Sequence, residues 1–248
     1  MTDKVNEKEA HDKLAELNVL NAALEAKLRA LHAIRDILFS GIPNMTAPPT
    51  RVTPEPTTPL CSLAMKYMTD KAPGFHNYTP KYYDAILKHL GDPASVKRVG
   101  EIGIGFLSCM CHVSMQYKAG ASLRMWEEFF PAAEIHGYDI RRELLVDEGS
   151  IRCHYMDQSS VKSMGEAYEA AGGLFDLVID DGSHEIMHQL NTKDYTRPFL
   201  RIGGLLIIED IRTEHFQDRF RIPPEGMEVV DMPFTSSGDN YVIYRRVT

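Results

Sequence analysis

Long hydrophobic runs, paired cysteines and a leader pattern are all missing from this 248-residue sequence. No apolar run approaches the roughly 20 residues that a bilayer-spanning helix needs. The first ten residues are polar, without the basic start and apolar core of a signal peptide. The four cysteines include no C-x-x-C pair, so neither a disulfide framework nor a zinc knuckle is expected. We therefore expect a cytoplasmic chain with reduced thiols and no membrane partner.

Basic residues are also in short supply, with 27 Lys and Arg against 35 Asp and Glu and a formal net charge of -8. Nucleic-acid binding depends on clustered Lys and Arg that neutralise phosphates. The balance of charge therefore disfavours a nucleic-acid partner and favours a small-molecule substrate. The hydrophobic content of 44% is ordinary for a folded chain and excludes a disordered or low-complexity protein.

The first 60 residues differ from the rest of the chain. Leucines recur at three- and four-residue steps over residues 1–40, which predicts an amphipathic helix. Such a helix packs either on its own domain or on a second subunit, and we expect a homo-oligomer through it. Residues 41–60 are rich in Pro and Thr and are predicted to form an extended linker. The catalytic domain is expected over residues 61–248.

Short apolar runs alternate with helical patterns beyond the linker, as is typical of an α/β protein with a doubly wound, mostly parallel sheet. After the fifth run, two strands flank a turn at residues 235–239 and predict a closing antiparallel pair. The pattern thus predicts a seven-stranded Rossmann-like sheet. The strands are expected at 99–104, 134–140, 151–155, 175–179, 205–208, 228–234 and 240–246, and the helices at 122–130, 162–171 and 185–200.

A glycine-rich turn follows the first predicted strand. Gly103 and Gly105 would let the backbone approach a ligand, whose site in such sheets lies outside the carboxyl ends of the strands. Position 108 is serine where the dinucleotide fingerprint needs a third glycine, so NAD is not favoured. Glu101 would repel a pyrophosphate and favours a cationic ligand.

Acidic and amide side chains follow the second and third predicted strands. Asp139 could accept both hydroxyls of a ribose, and Asp157 with Gln158 would border the same pocket. The alternative for each carboxylate is a helix cap. Three acids at three successive strand ends suit a positively charged, ribose-bearing cofactor such as S-adenosylmethionine.

The fourth and fifth predicted strands end in two pairs of acids. Asp180, Asp181, Glu209 and Asp210 would meet at one sheet edge, where their mutual repulsion calls for a cation unless they are solvated or act as caps. Oxygen ligands favour a hard divalent ion, Mg2+ or Mn2+.

A histidine follows this acidic edge. His184 suits a general base, because a free imidazole titrates near pH 6.5. It also opens a literal H-E-x-x-H with Glu185 and His188, the zinc-protease signature. That alternative leaves the glycine turn and Asp139 without a role. On a helix after the turn, His188 is expected to point away from the strand ends or into packing, and to be dispensable.

Several motifs together resemble the macrocin/mycinamicin sugar O-methyltransferases and their cephalosporin-hydroxylase-named relatives. The resemblance covers about residues 61–246, and its most specific part is Asp-Asp-Gly-Ser-His at 180–184 followed by Ile-Glu-Asp at 208–210. The other matching motifs begin at Asp70, Asn77, Glu101, Ala121, Gly137, Asp157 and Gly203.

The resemblance implies a class I S-adenosylmethionine-dependent, Mg2+-dependent O-methyltransferase. It implies that Asp181, Glu209 and Asp210 bind the metal and that His184 is the base. It further implies a cofactor site bordered by Glu101, Gly103, Ser122, Asp139, Asp157 and Gln158, to which the glycine turn and the acidic edge add Gly105 and Asp180.

The acceptor is expected to be a small metabolite or sugar with a vicinal diol, because two substrate oxygens could bind a metal held by three carboxylates. Residues 67–83 and 106–121 are expected to be loops that set its identity. The alternatives are a zinc metalloprotease and a methyltransferase-fold protein with non-methylating chemistry.

Overall fold

The computed structural model describes residues 54–110, 112–114, 117–213, 219–233 and 240–248, together with Lys27. Apart from Lys27, the predicted N-terminal helix over 1–40 lies outside the described residues. So does most of the predicted linker over 41–60. The last two linker residues, Pro59 and Leu60, already belong to a helix, so the boundary placed at residue 61 falls two residues late.

The described residues form one seven-stranded sheet in the order β3-β2-β1-β4-β5-β7-β6, which confirms the predicted fold. The first five strands pair in parallel, and β7 runs antiparallel to both β5 and β6. The strands are β1 (Arg98–Ile102), β2 (Glu134–Asp139), β3 (Ile151–Tyr155), β4 (Phe175–Asp180), β5 (Leu200–Ile211), β6 (Met227–Asp231) and β7 (Asn240–Arg246).

Helices cover both faces of this sheet. The three predicted ones are present as α4, α5 and α6, each beginning within one residue of the predicted start. The described helices are α1 (Pro59–Tyr67), α2 (Thr79–His89), α3 (Leu107–Met110), α4 (Ala121–Phe129), α5 (Val161–Ala170) and α6 (Ile186–Tyr195). None of them is long and apolar enough to cross a membrane.

Helices α1 and α2 were not predicted, and α2 overlaps the segment expected to be a loop over 67–83. A local signal for α1 exists, because the Thr58 hydroxyl accepts a hydrogen bond from the Cys61 backbone N–H and Pro59 occupies the first turn. Ser/Thr caps followed by proline are common helix starts. The only part of 67–83 outside α1 and α2 is the connection over 68–78.

The sheet is buried on both faces, which explains its continuous apolar strands. Along β5, Leu205 and Ile207 join a core under α1, α2 and α4, whereas Leu206 and Ile208 join a second core under α5 and α6. Trp126 of α4 is fully buried in the first core. This alternation is the period-two pattern of a strand between two helical layers.

Strand register places the functional edge. Ile102 at the end of β1 lies opposite Asp180 of β4, and Asp180 lies opposite Ile208 of β5. Gly103, Asp181 and Glu209 each follow one of these three residues. They therefore lie next to one another at the carboxyl edge of the sheet. The strand order reverses between β1 and β4, which is where ligands bind in doubly wound sheets.

Candidate active site

A cavity of about 500 Å³ opens at this carboxyl edge. Its volume lies in the range of small-molecule and cofactor sites, which is about 300–1,000 Å³. Glu101, Asp180 and Glu209 are buried and do not line it. The other predicted site residues do: Gly103, Gly105, Ser122, Asp139, Asp157, Gln158, Asp181, His184 and Asp210.

The glycine turn is packed too closely to carry side chains. Gly103 has a φ of +96°, and a Cβ there would lie 2.0 Å from the Asp181 carbonyl oxygen. The Asp139 carboxylate fixes the same turn, since one oxygen accepts the Ile104 N–H at 3.0 Å and the other accepts the Arg141 N–H at 2.8 Å. Asp139 is therefore bound to two loops and is not a helix cap. Each of its oxygens retains a second lone pair for a ligand hydroxyl.

Gln158 lies on a buried support. Its amide nitrogen donates to both oxygens of Asp180, at 2.8 and 2.7 Å, and its carbonyl oxygen accepts the Ser183 N–H at 3.3 Å. Burial raises the pKa of Asp180, and hydrogen bonds from Thr192, Gly182 and Gln158 partly offset that rise. In this structure Asp180 thus positions Gln158 and does not line the cavity.

Asp157 is half-buried and lines the cavity beyond the end of β3. One of its carboxylate oxygens accepts hydrogen bonds from the hydroxyl and the N–H of Ser159, at 2.6 and 2.9 Å. These hydrogen bonds lower the pKa of Asp157. Part of this carboxylate is therefore committed to a local turn.

Asp181, His184 and Asp210 come together on the β4–β5 side of the cavity. One ligand atom from each lies within 4.8 Å of the others. His184 Nε2 is 4.0 Å from Asp181 Oδ1 and 3.7 Å from Asp210 Oδ2. His184 Nδ1 is buried and has no hydrogen-bond partner among the described residues. Oxygen and imidazole groups at this spacing could hold a divalent ion.

The backbone at this group is strained. His184 and Asp210 have φ values of +56° and +52°, in the left-handed region that non-glycine residues rarely adopt. Asp210 lies at a shift in the β5–β7 register, between Ile208 and Ile211. Such irregularities turn a side chain away from its ordinary strand direction, and strain of this kind clusters at functional sites.

Lys71 is the functional residue that sequence reasoning missed. Its side chain is fully buried, with Nζ 2.5 Å from Asp181 Oδ2, 2.8 Å from Glu209 Oε2 and 3.3 Å from Glu101 Oε1. Burial alone would lower the pKa of Lys71, but these carboxylates raise it well above the usual value. Burial raises the pKa of Glu101 to about 7, against the opposing effect of Lys71. The only sequence signal was the Asp70-Lys71 motif, which carried no assigned role.

The same connection between α1 and α2 supplies two further groups. The Tyr78 hydroxyl donates to Asp210 Oδ1 at 2.5 Å, and the His76 ring stacks on Tyr78. His76 lies 3.8 Å from Asp210 Oδ1 and 3.7 Å from Asp70 Oδ2. Residues 70–78 therefore contact both acidic strand ends.

The zinc-protease alternative does not fit the local structure. His184 precedes α6 in a left-handed conformation, and His188 Nδ1 lies 2.7 Å from the Ser183 hydroxyl. The two histidines are thus not on one helix face, and His188 is not part of the group around Asp181. The expectation that His188 points away from the strand ends was nevertheless wrong, because it lines the cavity.

Described residues from the two segments expected to set acceptor identity also line the cavity. Asp70 and His76 come from 67–83, and the Arg141 guanidinium lies over the Phe106 ring at 4.0 Å. The segment over 106–121 contributes Phe106, Cys109, Met110, His112 and Tyr117.

Sequence comparison finds sugar O-methyltransferases, while no family model matches the chain. The chain is 37% identical over 162 residues to mycinamicin VI 2''-O-methyltransferase of Micromonospora griseorubida, a match that covers 63% of this chain and 37% of that protein. It is 35% identical over 157 residues to demethylmacrocin O-methyltransferase of Streptomyces fradiae, with 63% and 37% covered. The matches thus span less than two fifths of these relatives.

Structure comparison agrees. A methyltransferase from the mycinamycin biosynthetic pathway, MycE, solved in complex with Mg and SAH, matches with a TM-score of 0.58 and 27% identity over 76% of this chain and 54% of that chain. The predicted resemblance and the class I methyltransferase fold are confirmed: over the part that the matches cover, this chain is similar to sugar O-methyltransferases of the mycinamicin and macrocin type.

Proposed function

We propose that the chain is an S-adenosylmethionine- and Mg2+-dependent O-methyltransferase that acts on a hydroxyl of a sugar or small metabolite. The observation that carries the proposal is the convergence of Asp181, His184 and Asp210 at one end of a cavity whose other end is a glycine turn fixed by Asp139. The related enzymes named above methylate glycosylated products, and they supply the substrate class.

The cofactor end fits S-adenosylmethionine. Gly103 and Gly105 line the cavity, and packing keeps side chains out of this turn, since a Cβ at Gly105 would lie 2.5 Å from the Tyr117 hydroxyl. Asp139 would accept the ribose hydroxyls, with Ser122, Asp157 and Gln158 bordering the rest of the cofactor. Glu101 and Asp180 are buried and would not touch the cofactor. Glu101 would contribute a buried charge, and Asp180 would hold Gln158 in place.

The metal end fits a hard divalent ion. Asp181 and Asp210 present oxygen atoms to the cavity, and Glu209 Oε1 is a buried carboxylate oxygen with no hydrogen-bond partner among the described residues. We assign Asp181, Glu209 and Asp210 as ligands of Mg2+ or Mn2+. When bound, the ion would lower the pKa of a coordinated hydroxyl and orient a vicinal diol.

His184 would take the proton of the acceptor hydroxyl. Its Nε2 lies 4.0 Å from Asp181 Oδ1 and 3.7 Å from Asp210 Oδ2, so this ring nitrogen is next to the proposed metal site. As the hydroxyl oxygen forms its bond to the methyl carbon, the bond from that carbon to the cofactor sulfur breaks, and the released electron pair remains on sulfur.

The acceptor would enter between the two segments that line the outer part of the cavity. Asp70 and His76 offer polar contacts for sugar hydroxyls, and Phe106, Met110 and Tyr117 offer apolar and aromatic surface. A glycosylated acceptor presents both kinds of group.

We also retain the prediction of a homo-oligomer through residues 1–40.

Calorimetry and a turnover assay test this proposal. The full chain should bind S-adenosylhomocysteine, and it should form S-adenosylhomocysteine from S-adenosylmethionine when given a glycosylated acceptor with a vicinal diol, such as mycinamicin VI, and Mg2+. EDTA should abolish turnover, and Asp181→Ala should do the same while retaining cofactor binding. Failure to bind S-adenosylhomocysteine would overturn the methyltransferase assignment, and full turnover in EDTA would overturn its metal dependence.

A further inference from the structure

The Lys71 ammonium occupies an unusual position for a lysine. Its side chain has no exposed surface, and three carboxylates from three different strands or loops lie within 3.3 Å of Nζ. A buried ion pair is often no more stabilising than a packed hydrophobic group of the same volume. Stability alone is therefore a weak reason to place a lysine here.

The contacts divide the carboxylates in a specific way. Asp181 gives Oδ2 to Lys71 and keeps Oδ1 on the side of His184. Glu209 gives Oε2 to Lys71, and its Oε1 is buried without a hydrogen-bond partner among the described residues. Each carboxylate thus has one oxygen fixed by Lys71 and one oxygen available to another cation.

The charges are consistent with a second cation. Glu101, Asp181, Glu209 and Asp210 with Lys71 carry a net charge of -3 when all are ionised, which a divalent ion would reduce to -1. The Trp126 indole N–H donates to Glu101 Oε2 at 3.0 Å. The other oxygen of Glu101, Oε1, lies 3.3 Å from Lys71 Nζ.

We propose that Lys71 is a positioning residue of the metal site. It holds the carboxylates of Asp181 and Glu209 in their ligating arrangement by one oxygen each and leaves the other oxygens for the metal. This inference rests on the proposed metal site. Residues that orient metal ligands typically change affinity by about 10- to 100-fold when they are removed.

Lys71→Met distinguishes positioning from simple charge repulsion. Removing a nearby positive charge should by itself strengthen the binding of a second cation. Positioning predicts the opposite, a loss of Mn2+ affinity of about tenfold or more, measured by calorimetry on the full chain without S-adenosylmethionine. Unchanged or tighter Mn2+ binding would overturn the proposal.

Two further variants keep the test valid if Lys71→Met does not fold, since it leaves buried carboxylates uncompensated. The double variant Lys71→Met with Glu101→Gln removes one carboxylate together with the ammonium and should still bind Mn2+ more weakly than Glu101→Gln alone. Lys71→Arg keeps the charge but changes the geometry of the donors, and it should also lose affinity. If Lys71→Arg binds Mn2+ as tightly as the wild type does, Lys71 only balances charge, and the positioning role is overturned.

Lys66→Met is the matched control. Lys66 lies in α1 and pairs with Glu128 on the surface, so its removal should leave Mn2+ affinity unchanged. If the wild-type chain itself binds no Mn2+, the proposed metal site is wrong and the role of Lys71 falls with it. If the wild type binds Mn2+ and the Lys71 variants bind it equally well, only the positioning role is wrong.

Discussion

The two ends of the cavity are built in different ways. At the cofactor end, Asp157 binds Ser159, two residues away, Asp139 binds Ile104, 35 residues away, and Gln158 binds Asp180, 22 residues away. At the metal end, Asp181 is held by Lys71, which lies 110 residues away in the sequence. Asp210 is held by Tyr78, which lies 132 residues away. The first end is thus assembled by hydrogen bonds between closer parts of the chain, and the second by an ionic contact and a hydrogen bond over more than 100 residues.

The physical reason for this difference is charge. A neutral backbone N–H can satisfy one carboxylate at a strand end, as it does for Asp139. Several buried carboxylates together need a cation or a strong donor, because burial penalises their ionised forms. Among the described residues, no Lys or Arg close to Asp181 or Glu209 in the sequence binds their carboxylates. Lys71, in the connection between α1 and α2, provides the cation.

The largest expected effect concerns the metal end. His184→Ala should lower turnover by about 100- to 10,000-fold, as is typical for the loss of a general base. Bound Mn2+ and cofactor affinity should be retained, and the loss should shrink at high pH, where hydroxide can take the proton. Steady-state kinetics across pH, with metal content measured on the same samples, checks this.

The comparison for this variant is His188→Ala, which removes a cavity-lining histidine outside the group around Asp181 and should lower turnover less than His184→Ala does. A severe loss of bound metal in His184→Ala would make His184 a ligand. An equal loss in both variants would restore the H-E-x-x-H interpretation that the structure disfavours.

An intermediate effect is expected at the cofactor end. Asp139→Ala should weaken S-adenosylmethionine binding by about 1.5 to 3 kcal/mol, because it removes a carboxylate that accepts hydrogen bonds in a partly buried site. Calorimetry measures this directly. Mn2+ affinity should not change, which would demonstrate that the two ends are energetically separable.

Asp157→Ala provides the comparison for this variant. Its carboxylate is solvated and partly committed to Ser159, so a smaller loss of affinity is expected. Equal affinities in the wild type and Asp139→Ala would limit Asp139 to holding the glycine turn.

The last effect concerns stability at low pH, and it arises from a histidine pair between β2 and β3. His136 of β2 lies with Nδ1 2.9 Å from His154 Nε2 of β3, and burial with this neighbour lowers the pKa of His136 to about 4. The unfolded chain binds this proton near pH 6.5, so the stabilisation is complete above that pH and is lost as pH falls toward 4. The loss should be on the order of 2 kcal/mol.

Urea unfolding at pH 7.5 and pH 4.5 measures this loss. His136→Phe should show a smaller difference between the two pH values than the wild type does. His112→Phe, a substitution at an exposed position, should leave the difference unchanged. An identical pH dependence in His136→Phe would remove the histidine pair as its source.

Most of the fold was predictable from the sequence because the sheet is regular. All seven strands were expected, since short apolar runs alternate with helical patterns over the first five and a turn separates the last two. The end of β1 was placed two residues late, because Gly103 leaves the strand with a positive φ. Helix α2 was missed, since Tyr78 to Tyr83 combine aromatic and polar residues that give no clear apolar stripe.

The sequence by itself determined which residue types stand at the strand ends, because a parallel sheet brings the carboxyl ends of its strands to one edge. Gly103, Asp139, Asp181 and Asp210 were all expected there, and each lines the cavity. Only the tertiary structure decided which acids face the cavity and which are buried. Asp180 and Glu209 are buried. Asp180 binds Gln158, whereas Glu209 binds Lys71 together with Asp181 and Glu101. The contacts of Lys71 join charges far apart in the sequence, and such contacts form only when the layers pack.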